Sequence, residues 1–179
     1  MKYAFLYLLL LSNSIWATGK NAENPEVFPL TGLKKFEVVT LVFPQDKIDQ
    51  NSIYNSISES FRKFGQINIS EHESMLSSLI RSDISYPICY FSISKTDDTI
   101  EVALDVLAEV EVLANKYKTS SPIWKKKLYA PVPQDNQGTD LAIGNLTQEI
   151  IQILADDFKK ANNADVNQPS FHIRKFKEL

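Results

Sequence analysis

Two histidines, one cysteine and a row of acidic residues are the side chains of this sequence with the means to do chemistry. Nucleophilic catalysis needs a base beside its nucleophile, most often a histidine. His72 and His172 lie far apart in the chain, and no G-x-S-x-G elbow accompanies them. A zinc site needs three or four close ligands, and neither histidine has a partner at helical or strand spacing. Cys89 sits inside the apolar stretch Tyr86-Pro87-Ile88-Cys89-Tyr90-Phe91, which predicts a buried, inert thiol. A single thiol forms no intramolecular disulfide. The five glycines are scattered, with no glycine-rich phosphate loop. Glu101, Asp105, Glu109 and Glu111 share the odd positions of one segment, so a hydrolase using a carboxylate pair is conceivable. The expected reading is a solvated sheet face matched by lysines. No catalytic residue, metal or cofactor is expected, and the chain is read as a non-enzyme.

Two basic and aromatic stretches remain. The end of the chain carries Phe171, Ile173, Arg174, Lys175, Phe176 and Lys177, a candidate partner-binding segment with a weak attraction to an anionic membrane surface. A frayed terminus is the competing reading. Trp124-Lys125-Lys126-Lys127 with Tyr129 resembles an anion patch, but strand alternation splits those lysines between faces and assigns Trp124 to the core. With a net charge of −3, the chain has no general attraction to nucleic acid.

The elements that must position these groups follow from patterning. Lys2 and the run Ala4 to Leu11, closed by Ser12, Asn13 and Ser14 and followed by Ala17-Thr18-Gly19, predict a cleavable signal peptide over 1–19. That run is too short for a bilayer, which needs about 20 residues. An exported, periplasmic protein is expected, with release to the medium as the alternative. Residues 20–34 read as a leader segment, 35–162 as a single α+β domain and 163–179 as a C-terminal tail. Hydrophobic residues at 44% and charged residues at 23% suit an ordinary globular core.

Phe36 to Phe43 predicts a strand with both faces covered. Asp49 is placed to cap a helix whose apolar face is Ile53, Ile57, Phe61 and Phe64, with Gly65 as its left-handed exit. Gln66 to Ile69 predicts a short strand. Ser70 and Glu73 have the spacing of a capping box, opening a second helix that begins with His72 and faces inward through Met75, Leu76, Leu79 and Ile80. Strands are expected over Ile84–Ile93, Ile100–Ala114 and Ile123–Ala130. In the second of these every even position from Ile100 to Ala114 is apolar. A turn about Tyr117–Thr119 would set Glu111 opposite Lys125, Glu109 opposite Lys127, Val112 against Trp124 and Ala108 against Leu128. A loop over 131–139 and a helix from Leu141 or Thr147 to Asn162 complete the domain. The predicted class is α+β, a mixed, mostly antiparallel sheet of about five strands with two or three helices packed on it, in the order β-α-β-α-β-β-β-α.

This order resembles small domains of bacterial envelope proteins, the amino-terminal domain of TolB and the CsgG-type domain. The likeness rests on the passage from Phe64-Gly65-Gln66-Ile67-Asn68-Ile69-Ser70 to Met75–Ile80. Residues Thr99 to Ala161 are similar to auxiliary lipoproteins of ABC-type lipid transport systems. The chain lacks the lipid-attachment cysteine, the propeller and the pore-forming hairpins of those proteins, so no functional residue is carried over. The resemblance implies an accessory domain in envelope assembly or transport that binds a protein partner. A secreted effector-like factor is the alternative.

Overall fold

The apolar run after residue 35 forms β1 (Lys35–Val42), which lies at the centre of a six-stranded sheet. The computed structural model describes residues 30–42, 50–74, 86–112, 117–162 and 168–178. The signal segment, Asp49 and the Met75–Ile80 apolar face lie outside the described residues. After β1 come α1 (Gln50–Phe64), β2 (Gln66–Ser74), β3 (Ile88–Lys95), β4 (Thr99–Val112), β5 (Tyr117–Pro131), α2 (Asn136–Asn162) and β6 (Ser170–Glu178). The sheet order is β2-β6-β1-β3-β4-β5. The α+β class and the mixed sheet are as expected, with six strands. Its balance differs, because β2–β6, β6–β1 and β1–β3 are parallel and only β3–β4 and β4–β5 antiparallel. Among the described residues no helix is long and apolar enough to cross a membrane.

Both helices cover one face. The α1 positions Ile53, Ile57, Phe61 and Phe64 are buried, as their spacing predicts. They meet α2 through Leu146, Ile150, Leu154 and Phe158. Beneath them Phe36, Val38, Cys89, Phe91, Val102 and Leu104 form the floor. The helix α2 starts earlier than Leu141 because Asp135 caps it. The Asp135 carboxylate accepts from Gly138 N–H at 2.6 Å, and its carbonyl accepts from Thr139 N–H at 3.1 Å. At the other end Asn162 receives Gly32 N–H at 2.7 Å and donates to the Leu30 carbonyl at 3.0 Å. Leu30 is fully buried, so the end of the leader belongs to the domain.

The largest departure concerns the expected tail. Over Ser170–Glu178 it is β6, inserted between β2 and β1. The strands β1 and β2 are joined by α1 yet stand one strand apart, and β6 fills that slot. Phe171 is the reason it fits: its ring lies 5.2 Å from Phe36, 4.3 Å from Phe61 and 5.1 Å from Phe64, centroid to centroid. Each such pair is worth about 0.5–1.5 kcal/mol beyond burial.

Other expectations change with it. Ser70, His72 and Glu73 lie in β2, so no capping box opens a helix there. Gly65 does not adopt a left-handed conformation; Gly32 does, at φ 75°. A Cβ on Gly65 would stand 2.1 Å from the Pro169 carbonyl oxygen, so glycine is required by the approach of β6. The β4–β5 ladder reaches Val112 opposite Tyr117, so residues 117–119 belong to β5 and are not the expected turn. Trp124 therefore pairs with Val106, Leu128 with Val102 and Lys125 with Asp105, and a bulge follows Val106. Lys126 faces the helix side opposite Leu104 but stays exposed, because β5 is an edge strand where an inward lysine reaches water.

Candidate functional site

Strand alternation sends a second set of side chains to the face away from α1 and α2. Register across β2, β6 and β1 sets Asn68, His172 and Glu37 in one row and Ser70, Arg174 and Val39 in the next. Diagonal contacts tie the rows together. Ser70 Oγ lies 2.6 Å from His172 Nε2, and Arg174 Nε donates to Glu37 Oε2 at 2.6 Å. The Glu37 and Arg174 side chains are only 18% and 13% exposed. Val39 and Phe176 on this face are buried as well.

The hydroxyl and imidazole are the beginning of a nucleophile–base pair, and Glu37 stands in register beside His172. Its carboxylate, however, turns to Arg174 rather than orienting the imidazole. The β6 backbone beside Ser70 offers no oxyanion hole. The peptide groups of His172 and Arg174 lie in the sheet plane between two ladders, at right angles to the face on which Ser70 sits. The contacts join Ser70 to His172 and Glu37 to Arg174 as two pairs.

Acidic and basic groups also share this face at the opposite edge. Lys127 binds Glu101 at 2.8 Å, and that hydrogen bond raises the pKa of the lysine. Lys118 binds Glu109 at 2.7 Å. Burial pushes the Asp105 carboxyl above its usual range, with Lys125 and Lys127 opposing and Glu101 adding to the rise. The lysine-matched acidic face is therefore present, with partners other than the pairs Glu111–Lys125 and Glu109–Lys127. Cys89 is fully buried in β3, and burial drives its thiol pKa up. No group of three or more metal-ligating side chains stands together among the described residues.

Of the expected partner-binding residues, Phe171, Ile173 and Phe176 are core, Arg174 is ion-paired and Lys175 is half-buried, all within β6. Lys177 also lies in β6. The apolar half of this segment is packed within the fold. The residues that sequence reading missed are Ser70, Glu37 and the pairing of His172 with them. The alternation Phe171, Ile173 against His172, Arg174 was the available signal of a strand.

A last feature is the reach of the β4–β5 hairpin. Pairing of β4 with β3 ends at Leu107 opposite Ile88, whereas pairing with β5 continues from Ala108–Ser121 to Val112–Tyr117. These five pairs form a two-stranded ribbon with no third strand among the described residues. Leu107, Ala108 and Val110 are half-buried there, and buried alternation is lost beyond Val106. No protein-family model matches the chain, and no curated protein is similar to it.

Proposed function

We propose that the chain is an exported, non-enzymatic accessory domain of the bacterial envelope that binds a protein partner in assembly or transport. The observation that carries this reading is the ribbon from Ala108–Ser121 to Val112–Tyr117. A two-stranded hairpin is marginal in water by itself, and its apolar side chains gain from a partner. The Ser70–His172 and Glu37–Arg174 contacts support a structural role for those side chains. Export rests on the residue 1–19 pattern.

Photocrosslinking in intact host cells tests this. A photoreactive residue at Val110 or Thr119 is expected to trap one envelope protein, while one at the exposed Gln152 of α2 does not. Sequencing of the recovered chain is expected to begin at Lys20. Equal trapping from Gln152, or none from the ribbon, refutes the binding reading; a chain that retains residues 1–19 refutes the export reading.

A further inference from the structure

We infer that the outer edge of β5 from Ile123 to Ala130 accepts an acidic extended segment of the partner as an added strand, an inference that rests on the binding reading above. The strand β5 closes the sheet order and pairs only with β4 among the described residues. Alternate N–H and C=O groups along its outer side are therefore left for another strand. Between Pro122 and Pro131 no proline interrupts it. The edge is also held in place: Trp124 is 5% exposed, and its Nε1–H donates to Asp157 Oδ2 at 3.1 Å, which anchors β5 to α2. A fixed edge loses little conformational freedom when a strand is added.

Charge selects the occupant. Lys125, Lys126 and Lys127 are consecutive and exposed, so positive charge stands on both faces of the edge. Lys127 is occupied by Glu101, whereas Lys125 and Lys126 make no ion pair among the described residues. A second copy of the chain is a poor occupant, because antiparallel pairing centred on Lys126 sets Lys125 against Lys127 and Lys126 against itself. A neutral strand would desolvate Lys126 without compensation and Lys125 with only the Asp105 carboxylate across the ladder to offset it. Consecutive carboxylates on a β-strand alternate between faces, as these lysines do. Beside them Tyr129, 59% exposed, offers an apolar contact on the second face.

The test uses the mature chain and a capped ten-residue peptide with three consecutive glutamates flanked by alternating threonine and valine. The expected result is slowed amide exchange within Ile123–Ala130 and saturable binding. The Lys125→Glu, Lys126→Glu double variant, with its fold checked by circular dichroism, is expected to bind roughly tenfold more weakly. Two control peptides, one with lysines in place of the glutamates and one with a central proline, are expected not to protect the edge. No slowing by the glutamate peptide overturns the inference, as does equal binding of the proline control, self-association through β5, or lysine-dependent binding to phosphatidylglycerol vesicles with no peptide binding. Loss of the in-cell adduct on changing the ribbon but not on changing Lys125 and Lys126 removes this inference while the binding reading stands.

Discussion

Replacing Gly65 by alanine tests how β6 is seated. Ordinary carbon–oxygen contacts lie beyond 3.0 Å, and the new Cβ would stand 2.1 Å from the Pro169 carbonyl oxygen and 3.0 Å from Phe171 Cε2. Relief requires the start of β6 to retreat by about 1 Å, and overpacking of this kind costs about 1–3 kcal/mol. The same retreat weakens the hydrogen bond from Gln66 N–H to that carbonyl, now 3.0 Å, at a further cost of about 0.5–1.5 kcal/mol. A loss of about 3 kcal/mol is expected, read from urea unfolding with the slope unchanged. Two companions separate the causes. Were Gly65 needed for a left-handed backbone, asparagine would be well tolerated. Because space is the constraint, Gly65→Asn is expected to cost at least as much as alanine. Gly144, inside α2, has only Ser56 Oγ within reach of a Cβ, at 3.6 Å, so Gly144→Ala is expected to stabilise by up to about 1 kcal/mol. A Gly65→Ala protein within about 0.5 kcal/mol of the parent, the usual range for a neutral surface change, refutes the close-approach account.

Three further outcomes follow from the same structure. Phe171→Ala should cost about 3–5 kcal/mol by urea unfolding, and a chain ending at Pro169 should lose cooperative unfolding, which a dispensable tail would not do. Thr147 Oγ1 is buried without a hydrogen-bond partner among the described residues, so Thr147→Val should raise stability by about 1 kcal/mol in thermal or urea unfolding. The pKa of Asp105 is raised by burial, so the stability linked to its protonated form is complete below the unfolded pKa of about 3.9 and lost as pH rises through the folded value. Asp105→Asn should therefore raise the urea midpoint at pH 7 and give no advantage at pH 3.

Sequence patterning reveals the local and antiparallel parts of this fold more readily than the rest. Four apolar residues at helical spacing located α1, and eight apolar residues at period two located β4, because each signal lies within one segment. The hairpin register failed for a local reason as well. Charge matching favours Glu109 opposite Lys127, but the bulge after Val106 and the pairing of Val112 with Tyr117 set a different ladder. The β6 segment failed for a longer-range reason. Its Phe-x-Ile alternation is short, it follows a polar stretch, and the basic residues beside it read as a solvated end. Its stability comes from β1 and β2, segments more than a hundred residues earlier, and parallel pairing leaves no turn between partners to announce it.

The same separation hid the chemistry of the second face. Ser70, His172, Glu37 and Arg174 come from three strands and become neighbours only through two parallel registers. A histidine is judged in sequence by what lies three, four or two residues away, and His172 has nothing useful there. Its hydroxyl partner is Asn68's neighbour but one on β2, fixed once Asn68 pairs with His172. Seating β6 therefore does two things at once. It drives Phe171 and Ile173 into the helix-covered core, and it closes Arg174 on Glu37 across the other face. A change that unseats Phe171 must also open the Ser70–His172 contact, so stability and the polar cluster of this face are coupled through one strand.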